Sequence, residues 1–268
     1  MAVFNPEMAA RMKMPKELLD EASSLHLAMH LSEQSVEAAL FDAATSQCKW
    51  HVFVDITALS DPAQFVYERN WNEQVFRKCS VSFDCDRFAL IPKAYFDENL
   101  CAEYIRLQHG SISSDTTYLE LSEIDAVLCF ALPSWHQRVV SMMPNARLIP
   151  SAALLMRYAR MHAPREGSAF ITWVCAQSMT LACMKEKNPV LLASNAVSSE
   201  EDVLYYLSNA AMQLDVDLEN VSLNLLVSAP GMEVKPLLER YIVNIISLSS
   251  SVSCPEGSFM PQLHAICA

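Results

Sequence analysis

From Leu25 the chain alternates strictly. Leu25, Leu27, Met29 and Leu31 fall on one side, and His26, Ala28 and His30 on the other. Period two marks a strand half buried in a sheet. Polar breaks at Ser32-Glu33-Gln34-Ser35 and Ala44-Thr45-Ser46-Gln47 separate this segment from VEAALFD and CKWHVFVDI, both rich in strand formers. The pattern predicts three antiparallel strands. Its rival is one long helix over 15–44, a stretch with no Gly or Pro after Pro15 and many Ala, Leu and Glu. Asp61-Pro62 opens a predicted helix to about Lys78, with Asp61 as cap and Pro62 in the first turn. CSVSFDCDRFALIP reads as two short strands around a polar turn at 84–86, and AYFDENLCAEYIRLQ as a helix stopped by Gly110. YLELSEIDAVLCFALP is strand material, SWHQRVVSMMP a helix, ARLIP a strand and SAALLMRYARMH a helix. Ala163-Pro164-Arg165-Glu166-Gly167 stops that last helix and marks a domain boundary.

The second half starts with SAFITWVCA, SMTLACMKEKN and PVLLASNAV, again three strands. Ser199 three residues before Asp202 is a capping box, so a helix runs from there to about Leu214. NVSLNLLVSAP is a buried strand, VKPLLERYIVNIISL a helix, and the last twenty residues a loosely held tail. Both halves thus share one order of elements: three strands, a helix, a strand, a helix. The repeat runs over about 25–105 and 168–248, with additional material at 111–163. The predicted organisation is a lead-in (1–24), a first lobe (25–163), a second lobe (168–250) and a tail (251–268).

A duplicated βββαβα unit with mixed sheets resembles the actin-like (ribonuclease H-like) superfamily, which includes actin, sugar kinases and the heat-shock chaperone ATPase domain. Ser35-Val36-Glu37-Ala38-Ala39-Leu40-Phe41-Asp42 is similar to the second strand of that superfamily's phosphate hairpin. The whole chain also resembles an uncharacterised bacterial family, a domain of unknown function with this fold. The resemblance implies an α/β, two-lobed fold with two hairpin turns clasping nucleotide phosphates. Each such turn needs an Asp for the metal and a Gly for close backbone approach. Counted back from the second strand, the Asp position falls on His30 and the Gly position on Ser32. In the second half they fall on Trp173 and Cys175. A glycine pair expected after the buried strand is reduced, past Ser228, to Gly231 alone. An imidazole and an indole cannot replace two carboxylates around a hard cation, so the resemblance implies a fold retained and phosphoryl transfer lost.

Composition agrees in part. The chain has 268 residues, 52% hydrophobic, which excludes disorder. Glycines number 4, where average usage predicts roughly 19, so phosphate-cradling loops lack their usual residue. Lys plus Arg total 19 against 31 Asp plus Glu, a net charge of −12, which argues against a nucleic-acid binder. No signal-like apolar run opens the chain, and YIVNIISL is too short to span a membrane. The nine cysteines are scattered through apolar runs without a Cys-x-x-Cys, as expected of reduced thiols in a cytoplasmic protein.

Other candidate chemistry has simpler explanations. His26 and His30 on a strand lie about 13 Å apart, too far for one metal, and read as surface or partly buried structural residues. His109-Gly110-Ser111 lacks a nucleophile-elbow context, so its glycine is a helix stop. Glu200-Glu201-Asp202 serve a helix start. Trp50, Trp71, Trp135 and Trp173 lie in separate elements and read as core residues. Arg11, Lys13 and Lys16 near Met8, Met12 and Met14 read as a solvated end. The 14 methionines read as adaptable packing.

The expectation is a cytoplasmic, non-catalytic actin-like protein. It has no cofactor, no catalytic residue and no metal site, and it binds a protein partner through the cleft or a lobe face. Neither nucleic acid nor a membrane span is expected, and nucleotide binding is not. The alternative is a divergent ATP-dependent kinase or ATPase using Asp42, Asp55 or Asp84; a third, weaker alternative is a mainly helical scaffold.

Overall fold

A computed structural model describes residues 14–56, 61–68, 76–175, 177–228, 232–247 and 259–267. After a short helix α1 (Lys16–Asp20), the first three strands are β1 (Leu25–Leu31), β2 (Ser35–Asp42) and β3 (Cys48–Asp55). Helix α2 (Pro62–Glu68) and strand β4 (Lys78–Phe83) follow. The chain continues through β5 (Phe88–Pro92), α3 (Cys101–His109), β6 (Thr116–Leu121), β7 (Ala126–Ala131), α4 (His136–Met142), β8 (Arg147–Pro150) and α5 (Ser151–His162). The second half comprises β9 (Ser168–Val174), β10 (Ser178–Lys185), β11 (Asn188–Ala196), α6 (Glu200–Gln213), β12 (Ser222–Val227), α7 (Val234–Leu238), β13 (Asn244–Ser247) and α8 (Phe259–Cys267).

The duplication is explicit in the strand order. One sheet runs β3-β2-β1-β4-β8 and another β11-β10-β9-β12-β13. In both, the first three strands are antiparallel and the last two join parallel to the first. The three-strand expectation for 25–55 holds, and the single long helix over 15–44 does not. The described residues of Met1–Asp84, Pro133–Ser151 and Ser250–Ala268 form one compact unit, and those of Cys85–Leu132 and Ala152–Ser249 the other.

Local chemistry explains the element ends. Ser199 Oγ accepts from Asp202 N while Asp202 Oδ2 accepts from Ser199 N at 3.1 Å, so the predicted capping box starts α6. Gly110, at φ 78°, stops α3 as expected. Glu186 and Lys187 both have positive φ between β10 and β11, the geometry that a two-residue hairpin linking twisted strands requires.

Four expectations are corrected. The helix read to Lys78 is described over Pro62–Glu68, residues 69–75 lie outside the described residues, and Lys78 already begins β4. The fifth strand of the first sheet is β8, so the intervening hairpins build a separate sheet, β5-β7-β6, with α3 packed on it through Cys101 and Ile105. The helix read through 248 ends at Leu238, and Asn244–Ser247 is a strand paired with β12. The tail is not loose: α8 packs on β1 and β2 and buries Met260, Leu263 and His264. That last contact makes β1 buried on both faces rather than half buried.

Candidate functional site

The first hairpin turn joins β1 to β2 through 32–34. Ser32 N donates to Ser35 O at 2.9 Å, which closes the turn. Its hydroxyl then accepts from Ser35 N at 2.8 Å and Gln34 N at 3.2 Å, and contacts Ser35 Oγ at 2.9 Å. Two amides of the position where a phosphate hairpin presents N–H groups are therefore occupied by the chain's own side chain.

His30 precedes this turn. Its Nδ1 lies 2.9 Å from Ser82 Oγ and its Nε2 3.2 Å from Asp84 Oδ1. With the proton on Nε2, the ring donates to the carboxylate and accepts the serine hydroxyl. Serine, histidine and aspartate thus stand in the order of a catalytic triad, but the burial is inverted. Ser82 is 0% exposed while the Asp84 side chain is 43% exposed, so no substrate reaches the would-be nucleophile. The set ties β1 to β4. Four residues along β1, His26 Nε2 meets Ser80 Oγ at 2.6 Å. Burial first, and Lys78 second, push the His26 pKa down to about 4. The sequence reading of these histidines as surface or partly buried is corrected: they are 5% and 4% exposed, because α8 covers their face.

His264 of α8 completes this cluster. It is fully buried, and among the described residues neither ring nitrogen makes a well-formed hydrogen bond. Burial pushes its pKa well below the ordinary value, helped by His26, His30 and Lys78 and opposed by the Met29 backbone. On β2, Glu37 accepts from His51 Nε2 at 3.1 Å. Sequence reading missed Ser80, Ser82 and His264. The first two had a signal, because Ser-Val-Ser on β4 repeats the period-two polar positions of β1. His264 had none.

The second hairpin differs in means. Trp173 is 4% exposed and its Nε1 donates to Ser228 Oγ at 3.1 Å. Ser228 N donates to Val174 O and Cys175 N to Ser178 O, each at 2.8 Å. Trp173, Cys175 and Ser228 are thus brought to one end of the β9/β12 pair, as His30 and Ser32 are at the end of β1. Gly231 lies outside the described residues, as do Trp71 and the basic residues Arg11 and Lys13. The remaining carboxylates divide between the two ends of the first sheet. Asp42 is paired with Leu25 at the start of β1, and its Oδ1 accepts from Ala44 N and Thr45 N. Asp84, after β4, and Asp55, opposite Ser35 at the end of β3, both stand at the hairpin end, with β1 and β2 between their strands. Among the described residues, no group of three His, Cys, Asp or Glu is placed to hold a metal ion. Also among them, no helix is long and apolar enough to cross a membrane.

The repeated sheets place the chain in the class of actin-like ATPase folds. A Bacteroides thetaiotaomicron protein with actin-like ATPase fold and unknown function superposes with a TM-score of 0.78 at 18% identity, covering 93% of this chain and 98% of that one. A chain of the PilM–PilN type IV pilus biogenesis complex superposes with a TM-score of 0.53 at 13% identity, over 90% and 94% of the two chains. A search of the curated proteins finds no match. Residues 16–245 match the family described as Protein of unknown function (DUF3822), and the chain belongs to that family.

Proposed function

We propose that this protein is a non-catalytic member of the actin-like fold that serves as a protein-interaction or assembly module in the cytoplasm. The observation that carries the reading is the self-occupied first hairpin: Ser32 Oγ takes the amides of Gln34 and Ser35. A phosphate entering there has to displace a bonded hydroxyl that a glycine lacks. His30, where the fold's ATPases place a metal-organising acid, already spends its two ring nitrogens on Ser82 and Asp84. Trp173 fills the corresponding place in the second repeat with a buried indole. These donor sets do not fit a magnesium-bound triphosphate, which needs carboxylate oxygens and open backbone amides.

The interaction half of the reading draws support from the neighbour in the PilM–PilN complex, where a chain of this fold belongs to a protein assembly. The cytoplasmic half draws support from the described cysteines, among which no disulfide is formed. The test is calorimetric titration of the full chain with magnesium–ATP and magnesium–ADP. No heat of binding is expected up to millimolar nucleotide, whereas micromolar affinity overturns the proposal.

A further inference from the structure

The second unit holds a cavity of about 360 Å³ that neither hairpin accounts for. It opens where the start of β10 and the end of β11 face the loop before β5 and the last residue of α3. Three features of its lining converge. Arg87 is half-buried, donates through Nη1 to Ser111 O at 2.9 Å, and takes part in none of the ion pairs among the described residues. Asp86 also lines the cavity, but among the described residues it forms no ion pair with Arg87, so a guanidinium left with most of its donors unspent is suited to a visiting carboxylate.

The second feature is a set of unspent polar side chains. Gln177, Ser178, Ser194 and Asn195 line the cavity and make no side-chain hydrogen bond among the described residues. His109 is held in place, because its Nε2 donates to Phe88 O at 2.9 Å. The third is a strand edge. β11 ends the order of its sheet, and Val197 N donates to Gln177 O, so by alternation the backbone groups of Ser194 and Ala196 point outward and have no ladder partner in it. An apolar ligand gains little against such walls. An extended chain satisfies all three features: its main chain continues the sheet, and its side chains reach the polar groups.

We propose that this cavity is the docking site for an extended segment of a partner protein, which pairs along the outer edge of β11 and presents an Asp or Glu side chain to Arg87. Resting on the reading of the chain as an interaction module, it names what the partner brings. The volume lies at the small end of ligand pockets, roughly 300–1,000 Å³, so two or three residues enter it. The net charge of −12 repels a strongly acidic partner at long range. At physiological salt that repulsion decays over about 8 Å, so a single acid flanked by neutral or basic residues is the pattern selected.

The test pans a phage library of random dodecapeptides on the full-length protein. Enriched peptides are then synthesised and their affinities measured by fluorescence polarisation. The expected sequences carry an acid at one fixed internal position. Arg87→Gln and Asn195→Asp each weaken binding tenfold or more without changing the melting temperature. Replacing the peptide acid by its amide causes the same loss in the wild type and no further loss in Arg87→Gln. The proposal is overturned if no peptide is enriched, if Arg87→Gln and Asn195→Asp bind as tightly as the wild type, or if binding depends on the free C-terminal carboxylate instead. Any of these removes this docking site alone, whereas micromolar magnesium–ATP binding removes the module reading beneath it.

Discussion

Acidification from pH 7 to pH 5 is expected to destabilise the first unit through the imidazoles beneath α8. His26 is held down to about 4 from its ordinary 6.5, mainly by burial. A base whose folded pKa lies below its unfolded value takes up a proton on unfolding. Its contribution is therefore intact above pH 6.5 and is lost as the pH falls towards 4. The full interval is worth about 3.4 kcal/mol, of which about 2 kcal/mol is gone by pH 5. His264, pushed well down by burial and by His26, His30 and Lys78, adds in the same direction. So does His136, lowered by burial and with no partner for Nδ1 among the described residues. Asp42 and Asp202, held low by hydrogen bonds, stay ionised across this window. The assay is urea unfolding followed by circular dichroism at pH 7, 6 and 5 and constant ionic strength, with hydrogen exchange read over 259–267. Exchange there, corrected for intrinsic rate, should accelerate as pH falls, and His264→Leu should flatten the profile. Equal unfolding free energies at pH 7 and pH 5 refute the reasoning.

Three further outcomes are expected. Ser32→Ala leaves the Gln34 and Ser35 amides without their side-chain acceptor and should cost about 1–2 kcal/mol, read as a lower urea midpoint. Leu263→Ala removes a fully buried side chain of α8 and should cost about 2–5 kcal/mol, with faster exchange confined to β1, β2 and α8. Ser199→Ala removes the cap of α6 and should cost about 1 kcal/mol, a smaller shift in the same urea titration.

Much of the architecture was written locally. The alternation of 25–31, its polar breaks, the Ser199–Asp202 box and the stop at Gly110 each depend on neighbours a few residues away, so each could be read from the chain. What failed depended on distant partners. Asn244–Ser247 follows an amphipathic run with no Gly or Pro between, and only β12 makes it a strand. Nothing within 79–83 says that its strand neighbours β8 rather than β5, because 85–132 intervenes as a separate sheet. The hairpin positions were locatable because β2 follows at fixed spacing. That Ser32 would satisfy the turn amides itself was a matter of rotamer, invisible in letters. The pairing of His26 with Ser80 and His30 with Ser82 was implicit in matched alternation, whereas the burial of both pairs required α8, more than 170 residues away along the chain.

The discontinuity of the first unit bears on how the molecule is born. A ribosome that has reached Pro150 has delivered all five strands of the first sheet, yet the segment that roofs β1 and β2 is still untranslated. At about 5–20 residues per second, the wait lasts roughly 6–20 s. During that interval the face awaiting α8 shows water His26, His30, Ser80 and Ser82 among Ala28, Ala39 and Phe41, rather than a plain aliphatic surface. Hydrophilic groups that look wasteful in the finished core thus lower the apolar area an unfinished one offers to its neighbours on the polysome.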